Sequence, residues 1–447
     1  MDERTRLFLT APPGTLLVKM ATPNSLAFMI QSTVSLAEVW IIGQLGTSSL
    51  AAIALSFPLL MLMQAMAGGA VGGAVTSSIA RALGRGDSNA AQRLIWHALA
   101  ICAAGSALFL VLFLTAGDTL LRTLGGSDDI LAQAATYCLI LFCGGLFIWL
   151  LGVIGAVFRG MGDMALPAVL MVIGAFVQVP LTAVLVLGLL GVPQFGIAGA
   201  AISAVTTSFV ISLVMLSILA KPGRVIQLKR TALVFEARLF RDIFSVAGPA
   251  SLSPILTVLI ILSLTAMVAT FGEAALAGYG IGSRIEFLLI PLIFGIGAAM
   301  TSLVGLAIGA GDIARAERIG WTGGVMSAAL AGLLGLILTL FPDRWIGAFT
   351  QDPAAFAAAK SYIGIVGPFY AFQGLGLSLY FASQGAGFMF WPVAATILRV
   401  ILALGGGWFL AFQLGYGLDG IYIAAAAAMT VFGVMIAGSV KLGGWRK

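Results

Sequence analysis

Twelve apolar stretches, each roughly 20 to 30 residues long, follow one another from one end of this chain to the other. In hydrocarbon every backbone N–H and C=O must find its partner within the protein, so a spanning segment is either a helix or one strand of a closed barrel. A spanning strand needs only about 9–11 residues and strict alternation of apolar and polar side chains. These stretches are far longer and do not alternate, so they predict helices over 14–41, 50–80, 94–117, 131–158, 165–190 and 197–219, then over 243–270, 275–308, 319–341, 357–382, 392–414 and 420–440. The chain has 447 residues, of which only 9% are charged. About a quarter of an ordinary soluble domain is charged, which excludes a water-soluble globular fold. The expected class is an all-α polytopic membrane protein.

The net charge of +6 does not point to nucleic acid, because the basic residues sit in short loops between apolar runs and form no stripe. They sort by side instead. A polar, basic start from Met1 to Arg6 precedes a first helix with no evident cleavage site, which predicts an uncleaved helix and a cytoplasmic amino terminus. Arg81, Arg85, Arg93, Arg159, Arg315, Arg318, Lys441, Arg446 and Lys447 then share the cytoplasmic side with the polar stretch Lys221 to Asp242. The opposite loops hold Arg122 and Arg344 among several acids. This is the positive-inside distribution, and it supports an even number of spans with both termini inside a bacterial inner membrane. Cys102, Cys138 and Cys143 lie in apolar segments with no disulfide or metal-ligand spacing and read as packing residues.

The polar stretch divides the spans six and six: an amino-terminal bundle (1–219), a cytoplasmic linker (220–242) and a carboxy-terminal bundle (243–447). The two bundles repeat. Gly84 through Arg93 recurs as Gly309 through Arg318, Gly46 through Leu50 as Gly272 through Leu276, Gly162 with Pro167 as Gly385 with Pro392, and Phe195 through Gly199 as Tyr416 through Gly420. With an even number of spans in each, the repeats are parallel, and their axis is the membrane normal. Two like bundles around a central cavity suit alternating access better than a channel filter.

An ionisable group within a span needs a partner, water or a task. Glu38 lies late in the first helix, where its carboxyl can take up a proton from one side and release it when the cavity rearranges, or ligate a sodium ion beside hydroxyls and amides. A structural hydrogen bond is the alternative. Gln178 and Thr182, four residues apart on one face of the fifth span, are the neighbouring polar groups, with Thr206, Thr207 and Gln31 as further candidates. Glu286 is the acid of the eighth span, a second candidate for ion coupling or for sodium. Arg284, two residues away, does not face it on a helix, so each needs another partner or water; Arg284 is still a candidate to position it and, with Gln31 and Arg399, to line the substrate cavity. Arg399, seven residues past Pro392, is a candidate to neutralise a carboxylate, with snorkelling to the interface as the alternative. Phe28, Trp40, Tyr279, Phe287 and Tyr370 are candidates to line a pocket for amphipathic cations. His97 predicts a satisfied hydrogen bond more readily than a proton relay. The run Gly68 to Gly73 lies mid-helix without the Lys of a phosphate loop and predicts close helix packing. Pro58, Pro180, Pro249, Pro254, Pro291 and Pro368 are candidate bends.

Glu38-Val39-Trp40-Ile41-Ile42-Gly43-Gln44-Leu45-Gly46, Phe158-Arg159-Gly160-Met161-Gly162-Asp163 with Pro167, Gly196 through Ala201, and Gly309-Ala310-Gly311-Asp312 with Arg315 together resemble the multidrug and toxic compound extrusion family over nearly the full chain. The resemblance implies a two-lobed antiporter that exports drug-like, commonly cationic compounds against inward proton or sodium flow. It implies no enzyme activity and no cofactor beyond the coupling ion. Small molecules and the bilayer are the expected partners of a monomer. By position Glu38 matches the family's first-helix acid, Gln178 and Thr182 match fifth-helix positions often occupied by Asn and by Asp or Asn, and Thr206 approximates a sixth-helix threonine. Thr182 replaces an acid, so Glu38 lacks the carboxylate neighbour of proton-coupled relatives, and the seventh helix from Ile243 to Thr270 holds no acid of the sodium-coupled kind. The proton remains the preferred coupling ion. The rival reading is a lipid-linked precursor flippase, for which a more strongly basic cavity is expected. A membrane enzyme is disfavoured by a single His.

Overall fold

The computed structural model describes residues 3–223 and 226–446 and contains helices and no strand among them. A short helix α1 (Glu3–Thr10) precedes α2 (Pro13–Gly43), α3 (Thr47–Gly84), α4 (Ser88–Thr123), α5 (Asp128–Cys143 with Gly145–Gly160), α6 (Ala165–Leu187) and α7 (Ile197–Ala220). After the linker come α8 (Ala237–Ala269), α9 (Glu273–Gly309), α10 (Ile313–Leu340), α11 (Pro353–Ala386), α12 (Phe390–Gln413) and α13 (Gly417–Lys441). Eleven of these are long and apolar enough to span a bilayer, and the two pieces of α5, bent by 52°, make the twelfth. Of the basic residues that sorted by side, Arg224 and Lys447, with the side chain of Arg4, lie outside the described residues.

Local chemistry sets the ends. Asp87 and Asp312 each accept a hydrogen bond at 2.9 Å from the backbone N–H three residues on, so α4 and α10 start at the same cap in the two repeats. Gly46 and Gly272 open α3 and α9 with φ of 115° and 102°, which a side chain disfavours. The interior of the repeats matches as well. Thr76 Oγ1 donates to the Ala156 carbonyl at 2.9 Å, and Thr301 Oγ1, 225 positions later, donates to the Phe381 carbonyl at the same distance.

The helix expected over 131–158 is broken at Gly144, the bend in α5, and further departures from the expected helices occur in α3, α9, α11 and α12. The eighth span is not continuous over 275–308: it breaks between Glu273–Ser283 and Glu286–Gly309. A π-helical stretch, Ala65–Val71, interrupts α3. Two more, Leu402–Gly406 and Phe409–Gln413, lie in α12. Of the prolines, Pro368 sits in a 3₁₀ turn that divides α11, whereas Pro58, Pro180, Pro249, Pro254 and Pro291 lie inside continuous helical segments. Cys102 and Cys138 are buried as expected, but Cys143 is exposed.

The packing is unequal along the membrane normal. At the end that carries the basic loops, one apolar core draws on both bundles: Leu17, Ile79, Leu94 and Phe158 from the first, Met300, Leu303, Leu379 and Trp445 from the second. Towards the opposite end the cores separate. One holds only first-bundle residues such as Ile42, Leu121 and Val186, and the other only second-bundle residues such as Val268, Ile363 and Tyr422. The bundles are joined at the basic end and have independent interiors at the other.

Burial of apolar surface drives association weakly within lipid, so the joint relies on small residues and hydrogen bonds. Ser77 Oγ reaches the Gln384 and Gly385 carbonyls across the bundles at 2.7 and 2.9 Å. Gln384 Nε2 donates to Gly69 and Ala70 carbonyls at 3.0 and 3.3 Å within the π-helical stretch. A Cβ on Gly73 would run into that Gln384 side chain, whereas Gly68 and Gly69 face open space. The glycine run therefore packs closely at Gly73, and at Gly69 it offers a carbonyl. The linker straps across α4. Trp96 Nε1 donates to the Lys229 carbonyl at 2.9 Å, Arg93 pairs with Glu236, and the Glu236 N–H donates to His97 Nε2 at 2.9 Å. The other nitrogen of His97 lies 2.8 Å from the Arg93 carbonyl, so both are satisfied.

Candidate functional site

Glu38 sits five residues before the end of α2, half-buried, where α6 passes closest. Gln178 Nε2 donates to Glu38 Oε1 at 2.6 Å, a short bond that fixes one carboxyl oxygen. One turn along α6, Thr182 is fully buried and donates to Ser203 Oγ of α7 at 2.9 Å, while Ser203 donates back to the Gln178 carbonyl at 3.1 Å. Two helices, α6 and α7, thus supply a polar triangle of Gln178, Thr182 and Ser203 behind Glu38. The arrangement holds a carboxyl in one orientation among acceptors and donors that suit either a proton or a small hard cation. Tyr137 of α5 is buried close enough to Glu38 to feel its charge.

Thr206, expected from the sequence in this group, does not join it. It is exposed on α7, and Ser203, nearly one turn earlier, is the hydroxyl that enters the triangle. The physical reason is the rotation of α7 against α6, which no spacing within α7 reveals. Thr207 is buried with no hydrogen-bond partner for its hydroxyl among the described residues. Gln31 is half-buried, and Phe28 meets Phe294 of α9 edge-on at 6.2 Å, on the joint between bundles. Trp40 is 70% exposed and makes no aromatic contact among the described residues, so it does not join them.

The second bundle has its own cluster. Glu286 begins the second piece of α9 and lies 3.4 Å from the Tyr362 hydroxyl. Arg399 makes no ion pair with it among the described residues, and its guanidinium lies over the Phe432 ring at 5.3 Å. Tyr362 packs in turn against Tyr279 and Tyr422, the three ring centroids lying 5.1 to 6.5 Å apart, and Tyr370 is fully buried beside them. Tyr362 and Tyr422 were missed in the sequence, where each appears as an isolated Tyr on an apolar helix. Arg284 points elsewhere: it is exposed and lies over Phe349 at 5.4 Å. The side chain of Phe287 is outside the described residues.

A family model, MatE, matches residues 23–185 and 249–409. Among relatives, a probable multidrug resistance protein NorM of Thermotoga maritima is 26% identical over 392 residues, covering 86% of this chain and 82% of that one. A FAD transporter of Shewanella oneidensis is 28% identical over 386 residues, covering 84% and 82%. Among solved structures, an outward-facing multidrug resistance transporter of the MOP superfamily superposes with a TM-score of 0.90 at 23% identity, covering 100% of this chain and 99% of that one. A MOP superfamily transporter from Pyrococcus furiosus gives 0.92 at 23% identity, with both chains fully covered.

Proposed function

The chain belongs to the MatE family, and from that premise we propose that it exports drug-like, amphipathic and commonly cationic compounds across a bacterial inner membrane, driven by inward proton flow through Glu38. The supporting observation is the carboxyl of Glu38, held by Gln178 and backed by Thr182 and Ser203, in a bundle whose core is separate from its partner's at that end. With the basic loops and both termini in the cytoplasm, the joined end is the inner one and the parted end faces outward. Lobes of 1–219 and 243–447 then rock about the joint, with 220–242 as the cytoplasmic strap and a monomer as the working unit. Protonation of Glu38 removes its charge and weakens its grip on Gln178, which is a local change able to bias the two bundle arrangements. Glu286 with Arg399 is the second candidate for coupling.

The test is transport of a lipophilic cation in proteoliposomes, with a proton gradient and a sodium gradient imposed separately. Glu38→Gln should abolish proton-driven accumulation while the protein stays folded, because an amide cannot change charge. Full accumulation by that variant would remove Glu38 from the mechanism, and drive by sodium alone would change the ion.

Flavin nucleotide export is the second reading, favoured by the relative from Shewanella oneidensis. FAD in the same vesicles tests it directly. The flippase reading finds no support, since Arg284 and Arg399 lie over different rings and do not converge.

A further inference from the structure

A groove of about 400 Å³ opens on the side of the second bundle, between α8 and α12. Its α12 wall is Phe390, Val393, Ala394 and Ile397, a spacing that puts all four on one helical face. On α8 it is lined by Ser245 and Pro249, one turn apart. Phe390 is 75% exposed and Trp391 beside it 47%, so the entrance lies at the basic end, where aromatic residues favour the headgroup level. One turn further towards that end, on the face of Ser245, is Arg241, exposed and without an ion pair among the described residues. Arg238 lies one turn beyond, only loosely paired with Glu236 at 3.9 Å. Arg238 and Arg241 continue, towards the basic end, the face of α8 that carries Ser245 and Pro249, opposite the apolar wall on α12.

The first bundle is built differently at the equivalent place. Its corresponding helices are α2 and α6, in which Pro23 and Pro167 answer Pro249 and Pro392. There Asn24 donates to Met164 Sδ at 3.1 Å, and Asn24, Met164 and Ala168 are all buried. In the second bundle Ala250 stands where Asn24 does, counting from the repeated prolines, and it has no side chain to bridge to Met389. The polar cross-tie that closes the first pair of helices is missing from the second.

We propose that this groove is a binding site for an anionic phospholipid of the leaflet at the basic end, with its phosphate against Arg241 and Arg238 and one acyl chain laid along Val393, Ala394 and Ile397. The occupant follows from the match of parts: a cationic, water-level mouth continuous with an apolar trough at acyl depth fits a molecule with an anionic head and a hydrocarbon tail. A free phosphate uses only the mouth, and a zwitterionic lipid gains little from the arginines.

The experiment is native mass spectrometry of the intact protein in detergent, titrated with phosphatidylglycerol, with phosphatidylcholine of the same chains, and with glycerol phosphate as competitor. Phosphatidylglycerol adducts should exceed phosphatidylcholine adducts several-fold, and glycerol phosphate should not displace them. Arg241→Ala should bring the two lipids level, and Arg241→Lys should retain the preference. Ala394→Trp, filling the trough, should lower adducts of both. Should Ala394→Trp prove unstable, Val393→Phe replaces it. Equal retention of the two lipids by the parent, an unchanged preference in Arg241→Ala, or displacement by glycerol phosphate would each overturn the proposal. So would a lipophilic cation displacing phosphatidylglycerol, since that would make the groove a substrate path.

Discussion

Gly84 and Gly309 lie against each other's helices: a Cβ on Gly84 would strike the Leu306 carbonyl oxygen, and a Cβ on Gly309 the Arg81 carbonyl oxygen. Each contact is the other shifted by 225 positions, 84 to 309 and 81 to 306. The crossing of α3 and α9 is therefore self-complementary and lies on the axis that relates the bundles. Backbone touches backbone there, so no side-chain rotation can relieve an added methyl group.

Gly84→Val and Gly309→Val should for that reason behave alike. Overpacking of a close contact costs about 1–3 kcal/mol, and here it should be relieved by parting the bundles at the basic end. Spin labels at Ser88 and Ile313, which begin α4 and α10 beside the crossing, should move apart by a similar distance in both variants. An effect in one variant and none in the other would remove the crossing from the axis.

Arg81 and Asp242 tie the same end across the bundles, at 2.8 Å with side-chain exposures of 8% and 28%. Arg81 also donates to the hydroxyls of Ser77 and Ser78. Removing one partner of a fully buried pair costs about 3–5 kcal/mol, so Asp242→Asn, with one side partly wet, should cost about 2 kcal/mol. Replacing both by apolar residues, Arg81→Met with Asp242→Leu, should cost less than either single change. Thermal unfolding of Asp242→Asn, of Arg81→Met and Asp242→Leu singly, and of the two together checks this, and strictly additive losses would show the pair to be uncoupled.

Much of this architecture could be read from one dimension, and the limits are physical. Helical spans and the repeat are local properties of apolar length and turn Gly and appear where the sequence places them, whereas the starts of α4, α8 and α10 lie six residues earlier than expected, because their first turns are polar and, in α4 and α10, capped by Asp87 and Asp312. Glu38 with Gln178 was legible because both stand out as polar groups in apolar helices. Ser203, Tyr137, Tyr362 and Tyr422 were not, because each becomes a neighbour only through the rotation of one packed helix against another. The break before Glu286 was hidden too, since the residues on either side, Ile285 and Phe287, are as apolar as any helix interior. Trp40 misled for the converse reason: its chemistry suits a pocket, but its helical face is the exposed one.

Around Glu286, the distance of 3.4 Å from the Tyr362 hydroxyl is at the limit of a hydrogen bond, whereas Arg399 carries a full charge. Tyr362→Phe should leave gradient-driven transport within about threefold of the parent, the equivalent of a weak interhelical bond. Arg399→Leu should lose considerably more. The reverse order, measured as initial rates in proteoliposomes, would make the tyrosine and not the arginine the group that supports the carboxyl.

The polar triangle in the first bundle makes a sharper demand, because three polar residues near Glu38, Gln178, Ser203 and Thr206, are placed differently. Gln178 touches Glu38 directly at 2.6 Å, and a hydrogen bond to a charged group is worth about 1.5–3 kcal/mol. Gln178→Leu should therefore slow proton-driven transport by roughly tenfold or more. Ser203 acts one step back, through the Gln178 carbonyl and Thr182, and a bond between membrane helices averages about 0.6 kcal/mol, so Ser203→Ala should cost about threefold. Thr206 is exposed and outside the triangle, and Thr206→Val should change nothing beyond the error of the measurement. A loss from Thr206→Val that equals or exceeds the loss from Ser203→Ala would mean that α7 turns its other face to Glu38 during transport. The site would then have to be rebuilt around Thr206.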